Sequence, residues 1–156
     1  MKTILVILFT LISNITYSQE IFSFQLQRHQ FNRFLISNRI VNKIKRKRFV
    51  KDYEYEGKYL GKFMTKNGMH FHIINSSYVH LKSLHSDNEI FIYNKKKEFI
   101  GYYNLSTNYQ LPIRLVNNVL IFSSDNCITK INLKRGIPRL ICIGCKKNID
   151  CLNLQN

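Results

Sequence analysis

From residue 67 onward this chain cannot run far in one direction. Asn67-Gly68 separates two apolar, alternating stretches, 59–64 and 69–74. Asn-Gly in that setting is a strong short-range signal for a tight β-hairpin. Further turn-forming clusters follow at Asn75-Ser76-Ser77, Ser86-Asp87-Asn88, Asn94-Lys95-Lys96-Lys97, Asn117-Asn118, Ser123-Ser124-Asp125-Asn126 and Lys134-Arg135-Gly136. Their spacing, mostly about six to twelve residues, suits single strands and leaves little room for helices. The sequence therefore predicts an antiparallel β-meander over 53–156.

Upstream the texture differs. Phe24, Phe31, Phe34, Leu35, Val41 and Ile44 recur at spacings of three, four or seven, with no Gly or Pro between them. Such spacing predicts an amphipathic helix over 27–45, which would cover one face of an otherwise open sheet. The fold class expected is mainly β: an antiparallel meander of hairpins with one N-terminal amphipathic helix. Its segments would be a signal peptide at 1–18, a helical and basic stretch at 19–52, and the meander at 53–156 with a disulfide-stapled tail.

The signal assignment rests on MKTILVILFTLISNITYSQ, where Lys2 precedes an apolar run from Ile4 to Ile12 and Thr16-x-Ser18 forms a small-x-small cleavage pair. The apolar run is shorter than the roughly 20 residues a spanning helix needs, and no later stretch could span either. Export to the periplasm or the medium is expected, and in an oxidising compartment four cysteines point to two disulfides. Cys142 and Cys145 form a C-x-x-C, but little chain follows for the helix that a redox C-x-x-C caps. Together with Cys151 the spacing is C-x2-C-x5-C, without the paired knuckles of a zinc site. If the strand ending at Leu133 folds back through Lys134-Arg135-Gly136 onto Pro138, Cys127 falls opposite Gly144. Cys127 is then expected to join Cys142 or Cys145, and Cys151 the other.

Charge narrows the partners. Against 24 Lys and Arg stand 9 Asp and Glu, a net charge of +15. That balance favours an anionic surface, glycan or acidic protein, while no nucleic-acid-binding motif is present. Lys43, Lys45, Arg46, Lys47 and Arg48 form the densest basic run and are the candidate contacts. The same run suits the C-terminal end of a helix, where cations are favoured. The chain is also rich in Lys, Asn, Ile, Tyr and Phe, the residues of AT-rich codons, so part of the charge is compositional. Asp52-Tyr53-Glu54-Tyr55-Glu56 reads as an acidic and aromatic strand end that pairs with the run.

His70-Phe71-His72 places two imidazoles on one face of a strand, and His80 is expected on the next strand. Such a trio would suit a divalent metal. With the cysteines it defines an alternative reading, a metal-handling or thiol-redox protein of the cell envelope. Parts for catalysis are missing: there is no G-x-S-x-G elbow, no Gly-rich phosphate loop and no paired acid and base. The leading expectation is a small exported binding or structural protein without catalysis or cofactor.

Two resemblances add to this. The leader ends Tyr17-Ser18-Gln19 before the acidic Glu20, and resembles secretory signals of Bacteroidetes. EIFIYNKKKEFIGYYNL and NVLIFSSDNCITKINL, followed by KRGIPRL, resemble strand pairs of β-propeller blades over about 89–140. A closed propeller needs at least four blades of four strands, more than this chain can supply. What the likeness implies is a meander of blade-like hairpins. A weak internal repeat supports it, with hairpin units opening at Asn67, Asn88 and Asn117.

Overall fold

The computed structural model describes residues 23–83, 85–124, 127–145 and 148–156, so the signal-like leader lies outside the described residues. The first described element, α1, covers residues 23–37. Ten strands follow: β1 (Ile44–Val50), β2 (Tyr53–Met64), β3 (His70–His80), β4 (Ser86–Asn94), β5 (Phe99–Leu105), β6 (Arg114–Val116), β7 (Val119–Ser124), β8 (Cys127–Asn132), β9 (Leu140–Cys145) and β10 (Asn148–Gln155). A one-turn 3-10 helix, Asn108–Gln110, sits between β5 and β6.

Seven strands form one sheet in the order β1-β2-β3-β4-β5-β10-β9, and β6-β7-β8 form a second. Every strand-to-strand ladder in them is antiparallel. The fold is therefore mainly β and built of hairpins, with one helix near the N-terminus, as the turn spacing predicts.

Alternation along the central strands explains the layers. Ile73, Ile90 and Ile92 face one way and join Leu120, Phe122 and Leu133 in a core against the small sheet. Ile74, Phe91 and Tyr93 face the other way and pack on Leu35 and Ile36 of α1. The run Ile90-Phe91-Ile92-Tyr93 is apolar throughout because β4 is covered on both faces, each residue being at most 3% exposed. Gly57 on β2 lets the helix come close: a Cβ there would lie 2.8 Å from Leu35 Cδ1. Gly61, at φ +128°, sits at a β-bulge that shifts the alternation, so that Leu60 and Phe63 both enter the other core.

The helix is shorter than 27–45 predicts. It ends in a Schellman motif: Arg39 N–H donates to Ile36 O and Ile40 N–H to Leu35 O, with Arg39 in the left-handed region at φ 50°. Residues 44–50 are strand β1, paired with β2, so the basic run is not the end of a helix. Asn75-Ser76-Ser77 and Ser86-Asp87-Asn88 are not turns either. Both lie in strands, because Asn75 donates to Pro112 O and Ser77 to Asn88 Oδ1, and these tertiary partners hold the backbone extended. The unit opening at Asn67 therefore continues as one long strand, whereas 88–105 and 117–133 do contain hairpins, in different sheets.

Two disulfides close the C-terminal end. Cys127 joins Cys145 and Cys142 joins Cys151, one of the two pairings expected, although the strands at Cys127 and Cys145 do not form the hairpin assumed. The first ties β8 of the small sheet to β9 of the large one, alongside Gly144 N–H donating to Thr129 Oγ1. The second crosses between directly opposed residues of β9 and β10.

Candidate functional site

The basic run forms the outer edge of the large sheet. Lys43, Lys45, Arg46, Lys47 and Arg48 are all exposed. Pairing with β2 places Arg46 opposite Glu56 and Arg48 opposite Glu54, while Lys45 and Lys47 stand opposite Gly57 and Tyr55. Cations thus project from both faces of one edge strand. Arg46 is tied down, 2.5 Å from Glu56 and 3.6 Å from Glu54, and that hydrogen bond holds its guanidinium pKa above the ordinary value. Lys47 lies 5.4 Å from the ring centroid of Phe49, which packs against Phe24, Phe31 and Tyr55. Among the described residues Lys43, Lys45, Lys47 and Arg48 form no ion pair. A Lys-rich edge also repels a second strand, which protects an open sheet from edge-to-edge pairing.

Beneath α1 lies a buried polar network. Arg28 donates to Glu89 at 2.6 Å and to Gln25 at 2.7 Å, with its guanidinium 4.5 Å from the centroid of Phe91. Burial raises the Glu89 carboxyl pKa, and Arg28 pulls it back. Asn32 donates to Tyr93 Oη at 3.0 Å and accepts from Tyr55 Oη at 2.8 Å. His29 Nδ1 lies 2.8 Å from the same Tyr93 oxygen. Burial, with Arg28 and Arg33 nearby, lowers His29 to about 4, and burial pushes Tyr55 up to about 12. Apart from Arg28 Nε, which is buried without a partner, the polar atoms named here are hydrogen-bonded beneath the helix, and they fix α1 on the sheet.

The histidines do not converge. His70, His72 and His80 all belong to the one continuous strand β3, which corrects the placement of His80 on a neighbouring strand. Eight residues at about 3.3 Å each separate His72 from His80 by more than 25 Å, far beyond shared ligation. His80 Nδ1 is 2.8 Å from Ser83 Oγ, and His72 Nδ1 is 2.7 Å from Tyr59 Oη. Among the described residues no three His, Cys, Asp or Glu side chains are grouped to hold a metal. The four cysteines are all bridged, which leaves no thiol pair in the C-x-x-C.

Two clefts of similar size flank the large sheet and differ in charge. One, of about 430 Å³, lies between β1–β3 and the loop 108–113, and contains the neutralised Arg46–Glu56 pair beside Lys58 and Asn75. The other, of about 440 Å³, opens beside the C-terminal end of α1 and is lined by Arg39, Lys62, His72, Lys95 and Lys97 with Tyr59. No carboxylate lines it. Of these residues the sequence pattern singled out only His72 as a site candidate, because they come from four separate segments.

Fold and surface together define a class: a helix-covered antiparallel β protein, stapled by two disulfides and cationic along one edge. Compared with protein-family models, curated proteins and solved structures, the chain matches none of them. Among the described residues no helix is long and apolar enough to cross a membrane.

Proposed function

We propose that the protein is exported and, without catalysis, binds an anionic partner along the outer edge of β1. The observation that carries this reading is the display of Lys45, Lys47 and Arg48 on an exposed edge strand, with Lys43 just before it, without ion pairs to acidic groups among the described residues. Same-face side chains on a strand repeat about every 6.6 Å, so the edge offers a linear ladder of cations to an extended polyanion such as an acidic glycan. Export is supported by the signal-like residues 1–19 and by two disulfides, which persist in oxidising compartments.

Retention on immobilised heparin tests it. Neutralising Lys43, Lys45, Lys47 and Arg48 to Gln should lower the salt needed for elution, because exposed charge contacts are screened by salt. The variant should keep its stability within about 0.5 kcal/mol, since these side chains are on the surface. Elution at the wild-type salt concentration would overturn the reading.

A further inference from the structure

The second cleft goes beyond that reading. Its cations arrive from three places, Arg39 from the cap of α1, Lys62 from β2, and Lys95 and Lys97 from the β4–β5 turn, with the His72 imidazole of β3 beside them. Convergence of this kind differs from the ladder on β1. It surrounds a concave volume, and the groups in it repel one another unless a negative charge enters.

Two of the cations occupy backbone positions that disfavour them. Arg39 sits at the first residue past the helix with φ 50°, where glycine is the usual choice. Lys97 sits at φ 65° after a turn closed by its own N–H to Asn94 O, another position that favours glycine or asparagine. Left-handed conformations are uncommon for long side chains. When such outliers cluster on one cleft, the inference properly runs from the outlier to a role. Here both outliers bring a positive charge to the same cavity.

The cleft is also braced. Lys97 Nζ donates to Ser37 Oγ at 2.7 Å, and Arg33 Nε donates to Lys97 O at 3.1 Å, so the turn and the helix end are held together. Tyr59, only 4% exposed, engages His72 Nδ1 and leaves Nε2 as the other ring nitrogen. Ile36 and Val41 supply apolar wall.

We propose that this cleft binds a compact tetrahedral oxyanion, a phosphate or sulfate monoester, held by Arg39, Lys62, Lys95, Lys97 and His72. The guanidinium matches two oxygens of such a group, and the lysines act as point charges. The ester-linked part of the ligand would lie against Ile36, Val41 and Tyr59. A neutral ligand would leave the cations unopposed, and a carboxylate would use fewer of them.

His72 supplies an internal reporter. Burial lowers its pKa, with Lys62, Lys97 and His70 adding to the effect. Facing it are Tyr59 and Lys62 on β2, His70 on its own strand, Tyr93 opposite on β4, Lys95 and Lys97 in the turn, and Arg39 at the helix cap. An oxyanion among these cations favours protonated imidazole, so binding should raise the His72 pKa.

The experiment titrates the full oxidised protein with inorganic phosphate or sulfate, with chloride at matched ionic strength as control. The His72 imidazole resonances are followed across pH. Phosphate and sulfate should give a saturating shift and a raised His72 pKa, and chloride neither. Arg39→Gly with Lys97→Gly removes two charges while placing the favoured residue at each positive-φ site. This variant should fold about as stably, relief of the two positive-φ positions offsetting the lost Lys97–Ser37 hydrogen bond, and bind phosphate at least tenfold more weakly. Arg114→Gln with Lys130→Gln removes two exposed charges on the small sheet and should bind as wild type does. A soluble phosphomonoester and vesicles containing phosphatidic acid then separate a free ligand from a lipid headgroup, and binding of either at this cleft supports the site. Equal effects of chloride and phosphate, or equal weakening by the two double variants, would show general charge screening and overturn the proposal. The titration leaves the β1 edge unaltered, so its outcome is independent of the heparin result.

Discussion

Replacing Asn32 by Leu tests what holds α1 on the sheet. Asn32 is fully buried, and its side chain joins two tyrosine hydroxyls from different strands of the large sheet, Tyr55 on β2 and Tyr93 on β4. Leucine has a similar volume, so the variant removes hydrogen bonds with little change in packing. The two hydroxyls respond differently. Tyr93 Oη keeps His29 Nδ1 at 2.8 Å and loses one of its hydrogen bonds, at about 1 kcal/mol. Tyr55 is 0% exposed and loses the acceptor that Asn32 Oδ1 provides; a buried hydroxyl without its partner costs about 1–3 kcal/mol, toward the low end here because the unpartnered Ser76 Oγ lies beside it. The expected loss is about 2 kcal/mol, a large fraction of the roughly 5–15 kcal/mol that holds a domain together. Urea denaturation followed by far-ultraviolet circular dichroism, with both disulfides intact, measures it; the midpoint should fall with the slope unchanged. Adding Tyr55→Phe removes the stranded hydroxyl and should restore about 1–2 kcal/mol, because replacing both partners of a buried hydrogen bond by apolar groups is close to neutral. A loss below about 1 kcal/mol for Asn32→Leu, or no recovery in the double variant, would refute the claim that this bridge fixes the helix.

Two further outcomes follow from the same packing. His29 has its folded-state pKa depressed to about 4 from an ordinary 6.5, so its contribution to stability is fully present above about 6.5 and is lost as pH falls toward 4; His29→Gln should flatten the stability profile across that window, and an unchanged acid slope would show that other groups control it. Removing the Cys127–Cys145 bridge, which closes a separation of 18 residues, should cost about 3 kcal/mol on the chain-entropy account, and more than removing Cys142–Cys151, which spans 9. Urea midpoints of the two paired Cys→Ala variants check this, and the reverse order would show that chain entropy does not set the difference.

How much of this was legible in the sequence depends on whether a feature is local. Asn67-Gly68 and Asn117-Asn118 reverse the chain as expected because their own backbone preferences suffice; both Asn117 and Asn118 adopt positive φ, at 49° and 63°. Asn75-Ser76-Ser77 has the same turn composition and fails as a turn. Its side chains find Pro112 O and Asn88, which lie 37 and 11 residues along the chain from their partners, and local composition carries no trace of them. The pairing of Cys127 was legible only as a choice between Cys142 and Cys145, and the hairpin register behind it does not form: β8 and β9 lie in different sheets and come together side by side without a ladder. The basic run was misplaced on a helix for a related reason. When five of six consecutive residues are charged, no apolar period remains to distinguish strand from helix. The usable signal lay next to it: Arg46 and Arg48 alternate opposite Glu56 and Glu54 across Lys51-Asp52, the charge pattern of a hairpin.

The cationic cleft shows where such reading stops. Left-handed positions are normally betrayed by glycine or asparagine, and here they hold Arg39 and Lys97; Asn94-Lys95-Lys96-Lys97 is legible as a turn, but not that Lys97 takes the left-handed place in it, and nothing marks Arg39 at all. Their charges, and that of Lys62, look like members of an evenly basic surface until the helix cap and the β4–β5 turn bring them together. Of two clefts of nearly equal volume, one has its arginine neutralised by a facing carboxylate and the other has no carboxylate at all. Lys66, Lys134 and Arg135 also line a cavity without a carboxylate, so gathered charge alone does not set this cleft apart; what does is that two of its cations stand at backbone positions that disfavour them. That arrangement separates the cleft from the general basicity of the chain.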